Sequence, residues 1–530
     1  MKAFSIVAAL CAALVLPIAQ AAPTADVQAQ VDRAASALGV LPSQALRIAG
    51  TITYYDPEQS RVPGGEPRLG TEATFVQWRD VAGTRSRIEW RMDALRPYPK
   101  KLQFVEVVEG GRGYVMGTDS MLPVKENLPG GHLMSRTRVA ANERELLRTA
   151  PDLLLRMQRE PARLQAIVSP TAAGERTPTV RFAVGATDLQ VGFDAASGLP
   201  SVIRMRDHDP IMADSDFDLV LSDWRDVGGW RHPFQQRYEL NGKVVASVRL
   251  TSVQSLQAPA DAWSHPNIAD EPAGSVQTDS FQWFLRKQGF AVLLDTDAIY
   301  FDPQQSRGLA FRPLAPSVWL ATGGFYNSLV VVLGDALVVY DAPHETHAQA
   351  LLQELAQHFP GKRVSHLILT HHHMDHAGGL RSYVVAGATL VVGAGLKQHF
   401  TDALRRPNTL GLPALRTPEA LRALAAPQIV EVRGEFSVGE GSVQARAYPV
   451  LENEHAEGML FGYVPQARLG FVSDIWSPGR SAPLPPAGTE QGENLRALAR
   501  SVAHWKLDPD RFAGGHGTVG AYAPVGALLH

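Results

Sequence analysis

The segment from Val364 to Gly379 reads VSHLILTHHHMDHAGG, an apolar, partly β-branched run that leads straight into four histidines and an aspartate between positions 371 and 376. Such a run reads as a buried strand. A polar cluster of this density belongs at a strand's end, where loops carry function, and not within a packed layer. In extended chain His371 and His373 point to one side, with His372 and Met374 facing the other way as packing residues. A turn at Asp375 would swing that carboxylate and His376 over the same pocket. Imidazole combined with carboxylate suits Zn, Fe or Mn better than Ca or Mg, which prefer oxygen alone. Gly378 and Gly379 allow the following helix to pack closely against the loop.

The sequence around this loop alternates strands and helices from about residue 310. SVWLAT, NSLVVVLG and ALVVYDA read as strands, ETHAQALLQELAQHF as an amphipathic helix, and GGLRSYVVAG, ATLVVG and LKQHFTDALRR as helix, strand and helix. A Pro/Leu-rich insertion occupies roughly 400–428, after which QIVEVRGEFSV, SVQARAYPV, MLFGYVP and RLGFVSD return to strands. That pattern predicts an α/β layered domain over 306–530.

Residues 23–255 have a different texture. A helical stretch, DVQAQVDRAASAL, ends at Gly39, and β-branched and aromatic segments with Gly, Pro and Asp turns then continue to about residue 255. One helical interruption, NERELLRTAPDLLLRMQRE, breaks the series, and VGG and NG read as hairpin turns. A mainly antiparallel β domain follows from this. Its closing pattern of strand, SGLP turn, strand and DWRDVGGWRHPFQQRYELNGK resembles the wide curved sheet of periplasmic lipoprotein-carrier domains. The resemblance implies an apolar ligand as a possible partner for this domain. Residues 256–305 read as a linker and connecting segment, including a short helix within FQWFLRKQGFAVLLDTDAIYFDP.

At the N-terminus Lys2 precedes AFSIVAALCAALVLPI and a small-x-small site at Ala19–Ala21, so residues 1–22 are expected to be a cleaved signal peptide. The only cysteine, Cys11, would leave with it, so thiolate ligands and disulfides are excluded from the mature chain. A periplasmic or secreted location and no stable membrane span follow. Net charge is only -3 without a basic block, which excludes nucleic acid as a partner and leaves a small-molecule substrate.

One loop cannot complete a metal pair. His455 precedes a strand in NEHAEGMLFGYV, Asp474 ends the apolar run LGFVSD, and His516 lies in the glycine-flanked turn FAGGHGT. His371, His373 and His455 would make a three-nitrogen site, and Asp375, His376 and His516 a second, with Asp474 placed to bridge them. With these residues the chain resembles the metallo-β-lactamase superfamily of dinuclear hydrolases, over roughly 310–530. The matched signature HxHxDH is His371, His373, Asp375 and His376, followed in the family's order by His455, Asp474 and His516. It departs from the family pattern at Ala456, where Ser or Thr is frequent, and in the long stretch between His376 and His455.

The resemblance implies an αββα sandwich holding two Zn2+ per chain, with Fe or Mn also compatible with the donors. It implies a hydrolase in which hydroxide between two metals roughly 3.5–4 Å apart attacks a carbonyl or phosphoryl centre. Asp375 is the catalytic candidate, orienting the hydroxide and carrying its proton. The substrate class stays open among β-lactam, lactone, ester and related compounds. An alternative on the same scaffold is a mononuclear iron persulfide dioxygenase, and another is an apolar-ligand carrier coupled to a metal-binding domain. Tyr326 and Asn327 are candidates to reach the pocket mouth, with packing at a strand start the favoured reading; His344 and His347 are expected to lie on a solvated helix face, and His366 and His372 to be structural. Glu454 stands next to a ligand and is a candidate contact to the site.

Overall fold

The computed structural model describes residues 24–57, 59–96, 99–119, 131–167, 177–271, 309–323, 326–441, 443–479 and 483–529. The expected signal peptide and the expected helix within 281–303 lie outside the described residues, as does most of the linker. Among the described residues no helix is long and apolar enough to cross a membrane.

Thirteen described strands between Leu46 and Ser255 form one antiparallel sheet. Its strands are neighbours in sequence order except at the centre, where Leu46–Asp56 pairs with Lys243–Ser255. Alternation places Leu46, Ile48, Ile52 and Tyr54 on a single face, as period-two side chains require. Helices Thr24–Leu38, Arg136–Arg148 and Leu153–Arg159 bury Val31, Val139 and Leu154 in the same core. The first helix stops at Gly39, whose φ of +89° is left-handed backbone that glycine adopts without a Cβ clash. Both expected hairpin turns, Val227–Gly229 and Asn241–Gly242, join paired strands.

The C-terminal domain stacks two sheets. The seven-stranded one is antiparallel from Ala310–Ala315 to Ala336–Tyr340 and then parallel through Arg363–Ile368, Thr389–Gly393 and Ile429–Val432. The six-stranded one runs from Phe436–Val438 to Val519–Ala521, with Leu469–Val472 and Arg511–Gly514 parallel. Val331, Val338, Tyr340 and Ile368 of the first sheet meet Ala447, Leu460 and Phe471 of the second in a shared core. Helices Glu345–His358, Leu380–Val385 and Leu396–Arg405 cover the outer face of the first sheet, and Glu490–His504 covers the second. This is the expected αββα order. The core between the sheets is built of apolar side chains from both, and the polar cluster stands at the strand ends.

Among the described residues, two segments carry most of the docking of the β-rich domain onto this sandwich. The first is the hairpin between Pro200–Asp209 and Ala213–Asp226. Its Ile211 is fully buried in the C-terminal helical core. The guanidinium of Arg381, also fully buried, donates to Pro210 O (2.8 Å), Ile211 O (2.7 Å) and Ala403 O (2.8 Å). The insertion around 400–428 packs against this hairpin as well. Asp214 N donates to Pro407 O, while Thr409 Oγ1 and Leu410 N donate to the Asp214 carboxylate. The same docking overturns the expectation that His344 and His347 face solvent. They are 8% and 0% exposed, because the helix start beneath the hairpin is covered and His208 Nε2 reaches Glu345 Oε2 at 3.0 Å. The second connection is the loop between Leu46–Asp56 and Arg68–Arg79, which reaches the strand ends that carry the histidines.

Candidate metal centre

Every residue of the candidate centre stands where an apolar strand ends or is about to begin. The HHHMDH segment leaves Arg363–Ile368, Asp474 follows Leu469–Val472, His516 follows Arg511–Gly514, and His455 precedes Leu460–Val464. The carboxyl ends of parallel strands are the usual ligand-binding edge of open α/β sheets. The chain turns one residue earlier than expected, since His373 already caps a short helix, Met374–Ala377. Gly378 and Gly379 allow this: a Cβ at Gly378 would stand 2.5 Å from Met374 O, and one at Gly379 2.5 Å from the Ala348 Cβ. His372 and Met374 are buried, as packing residues should be.

The geometry brings all seven sequence-predicted residues together. His455 Nε2 lies 3.2 Å from His371 Nε2 and 3.1 Å from His373 Nδ1. His376 Nε2 lies 3.2 Å from His516 Nε2, and Asp375 Oδ2 is 3.8 Å and 3.7 Å from these two nitrogens. Asp474 stands between the groups. Its Oδ1 faces His376 (2.8 Å) and His516 (3.0 Å), and its Oδ2 faces His455 (3.2 Å) and His371 (3.6 Å). Two four-residue groups result, each with its donor atoms within 4.8 Å of one another: His371, His373, His455 with Asp474, and Asp375, His376, His516 with Asp474.

A divalent metal fits this donor set. Ligands about 2.0–2.1 Å from a tetrahedral zinc stand about 3.3–3.4 Å from each other, close to the nitrogen separations above. Three of the histidines also have their outward nitrogens committed elsewhere, which turns their other nitrogens inward. His376 Nδ1 donates to Asp341 Oδ2 at 2.8 Å, His371 Nδ1 lies 3.2 Å from Thr370 Oγ1, and His373 Nε2 donates to Ser60 O at 2.9 Å. Partners of this kind fix the tautomer and orientation of ligating imidazoles.

The electrostatics of the two groups differ. Burial pushes His371 down to about 4. His373 is held well below the usual histidine range, first by burial and then by the neighbouring His371 and His455 rings. These rings are neutral, with lone pairs available. At His376 burial works against the charged form but is outweighed by Asp474, Asp341 and Asp375, so its pKa rises well above the usual value. His516 rises to about 9 against burial because Asp474 and Asp375 face it. Burial opposes ionisation of Asp375 and Asp474 too, yet His376 and His516 hold both well below the usual carboxylate range. Proton-borne positive charge on His376 and His516 thus sits where a cation would replace it.

Asp341 is a residue that the sequence reading did not single out. It is fully buried with φ +62°, and besides His376 it accepts from Thr370 N (2.7 Å) and Thr370 Oγ1 (3.0 Å). Tyr326 packs as expected, but on the site itself, with its ring 5.1 Å from that of His516. Asn327 braces the His516 turn by donating from Nδ2 to Gly514 O (2.8 Å) and Gly517 O (3.1 Å). Glu454 comes near through its main chain, its carbonyl accepting from Arg68 Nη2 at 3.1 Å. His366 lies away from the cluster, with Nδ1 at Ser365 Oγ.

Residues 321–516 match the family model of the metallo-β-lactamase superfamily. Solved structures to which the chain is similar include a metallo-β-lactamase from Pontibacter korlensis. It is 16% identical, the alignment covers 42% of this chain and 97% of that one, and the TM-score is 0.32. A Cronobacter sakazakii metallo-β-lactamase with a HARLDQ motif is 17% identical, over 39% of this chain and 80% of that one, with a TM-score of 0.28. The DIM-1 metallo-β-lactamase is 14% identical, over 41% and 94%, with a TM-score of 0.32. The comparison with curated proteins gave no match.

Proposed function

Starting from a metallo-β-lactamase-superfamily domain in the C-terminal part of the chain, we propose that this protein is an exported, dinuclear metal-dependent hydrolase acting on a small molecule. The observation that carries this reading is the division of Asp474: one carboxylate oxygen faces His376 and His516, the other His371 and His455. His371, His373 and His455 would hold one zinc, Asp375, His376 and His516 the other, with Asp474 shared. Such a pair, when bound, polarises a carbonyl or phosphoryl oxygen and brings the pKa of water close to neutrality.

The chain's own groups do the rest. Asp375 Oδ1 accepts from Gln59 Nε2 at 2.8 Å, and Oδ2 is turned toward the second group. Asp375 is therefore placed to orient a water and to carry its proton once the bond to the leaving group breaks. Asp341 keeps His376 in the tautomer that offers Nε2 inward. A complete second group, Asp375 with His376 and His516, favours the hydrolase over a single-iron dioxygenase. The carrier reading gains little from the β-rich domain: the apolar cavity beside Leu154, Ile203, Trp230 and His232 measures about 60 Å³, well below the roughly 300–1,000 Å³ of small-molecule pockets. The larger one, about 430 Å³, is lined mostly by polar and charged side chains, Gln165, Arg181, Asp188, Gln190 and Arg206, and does not suit an apolar ligand. Export is supported by the sequence of residues 1–22.

The test is a hydrolysis panel on the mature chain with nitrocefin, an acyl-homoserine lactone, a thioester and bis-nitrophenyl phosphate. Zinc-dependent turnover of one class that is lost in Asp474→Ala is the expected result. No hydrolysis, together with about one iron per chain, would overturn the reading.

A further inference from the structure

The loop between strands Leu46–Asp56 and Arg68–Arg79 belongs to the β-rich domain, yet its polar groups end in the metal centre. The Ser60 carbonyl accepts from two consecutive imidazoles, His372 Nε2 and His373 Nε2, each at 2.9 Å. Gln59 Nε2 donates to Asp375 Oδ1 at 2.8 Å. Arg61 O accepts from Glu457 N at 2.8 Å, and Arg68 Nη2 donates to His455 O at 2.8 Å. The loop is itself held: Ser60 is 4% exposed, its hydroxyl donates to Val62 O at 2.7 Å, and Lys243 Nζ donates to Gly65 O at 2.7 Å.

These contacts are not spread evenly. His371 finds Thr370 and Ser473 beside its outer nitrogen, and His376 finds Asp341, all within the C-terminal domain. The outer nitrogen of His373 has its acceptor in the other domain, more than three hundred residues earlier in sequence. Asp375 likewise has its outer oxygen fixed by Gln59, which leaves Oδ2 for the cluster.

We infer that this loop is a working part of the metal centre. The Ser60 carbonyl positions His373 in the first site, the Gln59 amide positions Asp375 in the second, and the β-rich domain thereby sets the metal affinity of the domain it is docked on. Gln59 is a positioning residue, acting through Asp375. The inference rests on the dinuclear reading above, and it explains why a β-rich domain accompanies a metal-binding sandwich.

Stepwise binding of Co2+ and Zn2+ to the full chain, followed by chelator competition and by the visible bands of cobalt, tests this without any substrate. Wild type should take up two equivalents. Gln59→Ala should bind one equivalent at wild-type affinity and the other about 10–100-fold more weakly, the usual effect of losing such a partner. Its cobalt bands should change for the weakened equivalent only. Replacing residues 58–66 by Asn-Gly should weaken both equivalents. Thermal melting of Gln59→Ala at the wild-type temperature excludes a folding effect, so this variant decides the matter even if the shortened loop does not fold. Two equivalents in wild type and unchanged affinities in Gln59→Ala would overturn the loop's role and leave the dinuclear reading intact. A wild-type chain that takes up no metal would overturn both.

Discussion

Replacing Arg381 by Met should loosen the two domains from each other. The side chain is fully buried, and burial lowers its pKa while Glu345 and Asp209 support its charge. Methionine keeps much of the aliphatic stem but leaves the carbonyls of Pro210, Ile211 and Ala403 without the donors they now have. A buried polar group deprived of its partner costs about 1–3 kcal/mol. Removing one member of a buried charge set costs about 3–5 kcal/mol. The two figures describe overlapping losses, so the expected total is about 5 kcal/mol. For a domain of this size that corresponds to a drop in melting temperature on the order of 10 °C. Calorimetry on the full chain should show it, and amide exchange should rise in 209–214 and 400–410 before it rises in the strands between the two sheets. Arg422→Met is the control, because its pair with Glu419 is 70% and 74% exposed and should contribute under about 1 kcal/mol. An Arg381→Met chain melting within about 2 °C of wild type, or no earlier exchange at the hairpin, would refute the docking argument.

Other expectations follow from single residues. Asp341→Asn preserves shape but removes the acceptor charge behind His376, so one of the two metal equivalents should bind about 10–100-fold more weakly in a chelator titration; unchanged affinities would remove Asp341 from the account. His347 is fully buried, and burial pushes it down to about 4. Its folded pKa lies below the unfolded one, so its contribution is complete above about pH 6.5 and is lost as pH falls toward about 4, reaching about 2 kcal/mol at pH 5. Urea midpoints at pH 7 and pH 5 should therefore differ less in His347→Leu than in wild type, and equal differences would contradict this. Asn327→Ala should release the His516 turn by removing its bonds to Gly514 and Gly517, which tryptic cleavage at Arg511 would report as faster nicking.

Much of the centre was legible because its chemistry is local. HHHMDH concentrates its donors in one loop, and Asp474 and His516 announce themselves as a carboxylate ending an apolar run and a histidine between glycines. Asp341 ends ALVVYDA just as Asp474 ends LGFVSD, so the same rule applied there finds it. His344 and His347 could not be read in this way. Helical spacing marks one face as polar, but it carries no sign of a hairpin from another domain covering that face. Gln59, Ser60 and Arg68 are beyond sequence reasoning for the same reason: the first two sit in an ordinary Pro/Gly-rich turn, Arg68 opens the strand after it, and their partners are over three hundred residues away.

The central claim, two metal sites sharing Asp474, is tested most directly by metal content after equilibrium dialysis of the full chain. Wild type should hold about two zinc ions per chain and His373→Ala about one, with the β-rich domain's melting unchanged. One metal per chain in wild type, or no loss in His373→Ala, would contradict the account.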